Sequence, residues 1–174
     1  MVRKEKSSIG IDEDMPIGEI EKVIRLNLGS GFKTETGEEW INIDKREITN
    51  PDMVHDIETG LPFQDNSVDM IRAHDILEHI HPDKVPFVMS EIHRVLKPEG
   101  YLHFFIPSTD GRGWAMDPTH RSFWNINSWL YYIDPDWHAL YPELPMFRAE
   151  RIQDVCLNEQ LRIIHTEGKV YPVK

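Results

Sequence analysis

A single cysteine, Cys156, stands among the 174 residues. It excludes an internal disulfide framework and a zinc site built on paired thiolates. No apolar run reaches the length of a membrane-crossing helix. The charged start, Met1–Lys6, has no apolar segment after it, so a signal peptide is not expected. The expected compartment is the cytoplasm. Positive charge is also scarce: 19 Lys and Arg face 30 Asp and Glu, a formal net charge of −11, with no basic block above the scatter. Such a chain is a poor generic partner for phosphate backbones or anionic lipids, so neither nucleic acid nor a membrane is an expected partner.

At 40% hydrophobic and 28% charged, the composition is that of a globular protein, and the length suits one domain. Residues 1–16 are polar and read as a mobile tail or a lid. Residues 17–174 read as a single domain. Apolar runs at Val23–Leu28, Trp40–Ile43, Met53–Ile57, Val68–Ala73 and Tyr101–Ile106 predict five strands. Asp75–Ile80 predicts a helix that His81-Pro82 interrupts. Asp83 is the expected cap of a second helix, in which Val85, Val88, Met89, Ile92, Val95 and Leu96 recur at helical spacing. Lys97-Pro98-Glu99-Gly100 is its expected stop. Strands alternating with helices predict an α/β fold with a Rossmann-like, mostly parallel sheet and helices on both faces. Phe147–Val155 and Leu161–Tyr171 predict a C-terminal antiparallel pair at the sheet edge.

About eight residues separate Gly31 from Trp40, fewer than the dozen or so of a helical parallel crossover. They hold Gly37 and polar side chains, with no apolar helical face. The first crossover helix is therefore expected to be missing or cut to one turn, leaving the adjoining pocket more open.

The stretch Leu26-Asn27-Leu28-Gly29-Ser30-Gly31, then Trp40-Ile41-Asn42-Ile43-Asp44, carries the strongest functional signal. In an open α/β sheet a glycine turn lets the backbone approach a ligand, and a carboxylate at the tip of the next strand accepts hydrogen bonds from ribose hydroxyls. The third glycine of Gly-x-Gly-x-x-Gly is missing, with Thr34 in its place, which weakens a dinucleotide enzyme.

From Val23 to Pro107 the chain resembles the class I S-adenosylmethionine-dependent methyltransferases. Leu28-Gly29-Ser30-Gly31 matches the family's glycine loop, and Asp44 its ribose-binding acid. Asp56-Ile57 matches the adenine-binding position, although Asp52 and Glu58 offer similar chemistry nearby. His74-Asp75-Ile76-Leu77-Glu78-His79-Ile80 matches the segment beside the cofactor's methionine end, and Glu91–Gly100 the helix and turn before the fifth strand. Asn27 replaces the usual acid two residues before the first glycine. The resemblance implies S-adenosylmethionine as cofactor, held by Asn27, Gly29, Ser30, Gly31, Asp44, Asp56, Ile57 and His74. The reduced first crossover is shared with a subset of small methyltransferases.

His74, His79 and His81 with Asp75 and Glu78 invite a metal reading. Zinc needs three or four converging ligands, and the resemblance explains the segment without one, so no metal is expected. Residues 108–141 read as a substrate-loop insertion at the carboxyl edge of the sheet, where such folds bind ligands. Trp114, Trp124, Trp129 and Trp137 lie there and suggest an aromatic organic-substrate pocket. Trp129, Leu130 and Tyr132 are better read as core on a helix capped by Asn127 or Ser128. Asp117, His120 and Arg121 are expected at the site.

Methyl transfer is an in-line displacement, in which positioning carries most of the work. Should the acceptor need to lose a proton, His120 is the first candidate base and His79 the second, with Asp117 orienting His120. The Asn/Asp-Pro-Pro-aromatic motif of base-amino methyltransferases is missing after the fourth strand. A small-molecule or sugar-derived acceptor is expected; a non-catalytic cofactor-binding or partner protein on the same fold is the alternative.

Overall fold

The computed structural model describes residues 22–174, so the expected tail or lid at 1–16 lies outside them. Seven strands form one sheet in the order β3-β2-β1-β4-β5-β7-β6. They are β1 (Arg25–Leu28), β2 (Trp40–Asp44), β3 (Met53–Val54), β4 (Val68–His74), β5 (Leu96–Pro107), β6 (Phe147–Asn158) and β7 (Ile163–Pro172). β1 to β5 pair in parallel, and β7 pairs antiparallel with both β5 and β6. This is the expected Rossmann-like, mostly parallel sheet with its C-terminal antiparallel pair. The helices are α1 (Val85–Val95), α2 (Leu130–Ile133) and α3 (Pro135–His138).

Strand alternation sorts the side chains onto two unlike faces. Leu26, Ile71, Ala73, Leu102, Phe104 and Ile106 point to one face and are fully buried. α1 covers it with Val88, Met89, Ile92 and Val95, and the segment after β5 adds Trp124, Trp129 and Tyr132 to the same core. Trp129 lies flat on Phe104, centroids 3.7 Å apart and planes 12° apart. On β7 a glycine stands beside this ring: a Cβ at Gly168 would sit 2.4 Å from Phe104 Cζ.

The opposite face carries Arg72, His74, His103 and Glu167, all half-buried; His74, His103 and Glu167 are linked by polar contacts, and Arg72 bonds to Asn27 and Glu35. Among the described residues no helix lies on this face, where helices were expected on both. The connections explain the difference. Residues 29–39 join β1 to β2, and residues 45–52 join β2 to β3, with only a single 3₁₀ turn (Glu47–Thr49) between them. Neither is long enough to return a parallel strand through a helix.

Other local expectations are corrected. Asp75 to Ile80 is not a helix. The chain leaves β4 with Asp75 at φ 52°, a left-handed conformation that aspartate tolerates better than most residues, and makes one 3₁₀ turn, Leu77–His79. Asp83 caps nothing; its N–H donates to His81 Nδ1 at 3.4 Å, opening a 3₁₀ turn over Pro82–Lys84 that leads into α1. Lys97 to Gly100 do not separate helix from strand but belong to β5, which shifts register opposite Val68 and Met70. The cap before α2 is Asn125, reciprocated by the Ser128 hydroxyl, rather than Asn127 or Ser128 alone.

Candidate active site

A cleft of about 340 Å³ opens at the carboxyl ends of β1, β2 and β4, within the size range of small-ligand sites. Gly29, Ile43, Asp44, Arg46, Asp56, Ile57 and Glu58 line one side; Asp75, Ile76, His79, Asp117, Thr119 and Arg121 line the other. The first group follows β1, β2 and β3. The second follows β4 and β5, so the insertion at 108–141 closes onto the cleft through residues 117–121.

The glycine turn is built by close approach. Gly29 has φ +62°, and a Cβ on it would fall 2.5 Å from Ile76 Cγ1, so only glycine lets the β1 and β4 turns meet. The next turn is fastened to β2 by Gly31 N–H, which donates to Asp44 Oδ2 at 2.9 Å. Asp44 is 5% exposed. It also accepts from the Arg46 backbone N–H at 2.8 Å and from the guanidinium at 3.2 and 3.3 Å. Burial pushes its pKa up, but the hydrogen bonds and charge of Arg46 and the Gly31 N–H outweigh it and hold the carboxyl below its usual range. Asp56, also expected at the site, accepts from Glu58 N–H at 3.0 Å and lines the cleft. Asp52 instead faces away and holds Asn42.

Across the cleft, Asp117 Oδ1 accepts from the Thr119 N–H and hydroxyl at 2.8 and 2.7 Å. The Thr119 hydroxyl meets His79 Nδ1 at 3.2 Å. The Asp117 side chain therefore steadies Thr119 and His79, not His120 as expected. His120 is recessed: its side chain is 8% exposed, Nδ1 meets the Trp114 carbonyl at 2.7 Å, and Nε2 faces Glu78 Oε1 at 3.9 Å. Glu78 is 1% exposed, and neither carboxylate oxygen has a hydrogen-bond partner. Burial pushes its pKa up to about 8, and lowers that of His79.

A family model described as a methyltransferase domain matches residues 20–104. That match, over just under half of the chain, supports a class I S-adenosylmethionine-dependent methyltransferase. No curated protein matches it. Solved structures of similar fold include a methyltransferase from Mesorhizobium loti at 17% identity, TM-score 0.58, covering 88% of this chain and 92% of that one. The 1,6-didemethyltoxoflavin-N1-methyltransferase of Burkholderia thailandensis, with 1,6-didemethyltoxoflavin and S-adenosylhomocysteine bound, has 15% identity and TM-score 0.59, covering 88% and 72%. The cyclase SpnF has 15% identity and TM-score 0.64, covering 89% and 77%. At these identities the likeness is one of fold.

The methyltransferase family's cofactor is S-adenosylmethionine, and the residues present fit it on donor chemistry. A buried carboxylate stands at the tip of β2, a glycine turn approaches beside it, and Ser30 Oγ is buried in that turn without a partner. Of the expected cofactor residues, Gly29, Asp44, Asp56 and Ile57 line the cleft. Asn27 lies beneath it, donating to the Lys33 carbonyl and to Asn42 while accepting from Arg72, and so fastens the glycine loop. His74 is turned to the polar face, Nε2 2.9 Å from His103 Nδ1, because strand alternation gives the cleft to its neighbour Asp75.

No tryptophan lines the cleft. Trp124 and Trp129 are core, and Trp114 meets Phe123 edge to face at 5.4 Å. Arg46 is not singled out by the sequence, and Asp75, Ile76 and Glu78 are named only within the segment matched to the cofactor's methionine end, with Asp75 and Glu78 also weighed as metal ligands. The one available signal was Glu78 itself, a carboxylate set among Ile76, Leu77 and Ile80.

Proposed function

We propose that this methyltransferase moves the methyl group of S-adenosylmethionine to a small-molecule or sugar-derived acceptor. The observation that carries the reading is the single cleft that joins Gly29, Asp44, Asp56 and Ile57 to His79, Asp117, Thr119 and Arg121. When bound, the cofactor supplies an already activated sulfonium methyl. Asp44 holds the ribose, and Asp56 with Ile57 the adenine. Gly31 and Ser30 shape the loop from behind. The opposite wall positions the acceptor: Arg121 offers a cation, Thr119 a hydroxyl and His79 an imidazole. Positioning of this kind supplies most of the rate. His79, at the cleft wall, is better placed than the recessed His120 to take a proton from an acceptor that must lose one. Asp117 steadies that wall through Thr119. The bound molecule named for the Burkholderia relative is small and organic, as is the acceptor class proposed here.

A second reading, cofactor binding without transfer, draws support from the cyclase SpnF, which shares the fold at TM-score 0.64 and is named for a reaction other than methyl transfer. Transfer of a labelled methyl group to an acceptor library, beside calorimetric titration with S-adenosylhomocysteine, separates the two. Binding with transfer that both vanish in Asp44→Ala supports the enzyme. Binding without transfer to any acceptor supports the second reading, and no binding removes both.

A further inference from the structure

We propose that Glu78, His79 and His120 form a binding site for a divalent transition-metal ion, with zinc the ion that best fits the set. Their ligand atoms lie within 4.8 Å of one another. Two imidazoles and one carboxylate make a recognised set of three protein ligands that leaves further positions open. Bond lengths near 2 Å put tetrahedral ligand atoms about 3.3 Å apart, so the three atoms must close by up to about 1.5 Å through side-chain rotation.

Three further features point the same way. First, hydrogen bonding selects the tautomer of each imidazole. His120 Nδ1 faces the Trp114 carbonyl at 2.7 Å, and a carbonyl only accepts, so this nitrogen carries the proton and Nε2 is bare. The Thr119 hydroxyl gives its proton to Asp117, so it accepts from His79 Nδ1, and His79 Nε2 is bare too. A ligating histidine fixed through its other nitrogen is the usual outer arrangement of a metal site. Second, Glu78 is buried with both carboxylate oxygens unpartnered. A carboxyl group withdrawn from water without a hydrogen-bond partner is costly in either protonation state, and His120 Nε2 at 3.9 Å is too far for a hydrogen bond. A cation between Glu78 and the two bare nitrogens satisfies all three at once. Third, the backbone holds the pieces in register: the Glu78 carbonyl accepts from the N–H groups of both Arg121 and Ser122, at 2.7 and 3.0 Å, tying the turn after β4 to the insertion that carries His120.

The ion site rests on these side chains and not on methyl transfer. His79 also lines the cleft, so an open coordination position suits a ligand with hydroxyl or carboxylate oxygens entering there. That extension alone rests on the proposed function. With an ion bound, His79 is a ligand and no longer a base.

The test uses the full chain, freed of metal with a chelator that is then dialysed away. Titration with zinc chloride by calorimetry is expected to give one equivalent bound at micromolar affinity or better. Cobalt chloride is expected to give visible absorption bands of a low-coordinate site. Glu78→Gln and His120→Ala should each weaken zinc binding at least a hundredfold, while His81→Ala, on the exposed 3₁₀ turn, leaves it unchanged. Metal-free Glu78→Gln should melt at or above the wild-type temperature, which separates lost binding from lost folding. If it does not fold, His79→Ala at the cleft wall asks the same question. Zinc binding that is missing, or that survives Glu78→Gln and His79→Ala, overturns the site. S-adenosylhomocysteine titrated into the same metal-free protein reports the cofactor pocket separately, so failure of the ion site and failure of the proposed function give different results.

Discussion

The guanidinium of Arg46 lies on the carboxylate of Asp44, with Nε 3.2 Å from Oδ1 and Nη2 3.3 Å from Oδ2. With the backbone N–H groups of Gly31 and Arg46, this gives Asp44 four donors, as many as a carboxylate accepts in-plane. On the proposed function, a ribose reaches Asp44 only after Arg46, whose side chain is 59% exposed, swings aside. An ion pair with so exposed a partner contributes about 0.2–1 kcal/mol. Arg46→Ala is therefore expected to tighten S-adenosylhomocysteine binding by roughly two- to fivefold, read by calorimetry. Weaker binding in the variant would mean that Arg46 contacts the ligand. Asp44→Ala is expected to weaken binding by at least about tenfold, through loss of charged hydrogen bonds.

Gly29→Ala tests the turn. The new Cβ meets Ile76 in a left-handed backbone, and the strain and overpacking together should cost about 2–4 kcal/mol in denaturant unfolding. The double variant Gly29→Ala, Ile76→Ala should recover the steric part and not the backbone part. Recovery to the level of Ile76→Ala alone would show that φ carries no cost.

Stability should depend on pH through His74. Burial, then the charges of Arg72 and His103, lower its pKa to about 4 from an ordinary 6.5. The folded protein thus binds fewer protons than the unfolded chain between these values. The stabilisation is complete above pH 6.5 and is lost as pH falls through 6.5 towards 4. His79 and His93, lowered mainly by burial, add in the same direction. His74→Asn should flatten the slope by about 1–2 kcal/mol across that window for a half-buried group, measured by urea unfolding from pH 4 to 7. An unchanged slope would assign the effect to the other histidines.

The stack of Trp129 on Phe104 anchors the insertion to the sheet. Trp129→Ala should cost about 3–5 kcal/mol. Trp129→Phe should cost less than half of that, because it keeps a ring on Phe104 and removes an indole N–H that is buried without a partner. Equal losses would mean that the indole's full size, and not the stacking, is what holds the insertion.

Much was determined by sequence alone. Period-two burial in Met70–His74 and Tyr101–Ile106, and helical spacing in Val85–Val95, mark strands and helix because those patterns have one apolar face only in those conformations. The glycine turn and the acid at the tip of β2 are local features, and the cleft forms where they fall. The short link between β1 and β2 was legible as a missing helix by length. What the tertiary structure decided are relations between distant segments. A one-residue alternation gave the cleft to Asp75 and turned His74 to the polar face. The insertion folded so that Asp117 holds Thr119 and His79, while His120 sits behind them against Glu78. Trp124 and Trp129 went to the core because the sheet offered Phe104 and an apolar face to cover. Which side of a strand, and which partner 40 residues away, depends on packing and register, and those exist only once the chain has closed on itself.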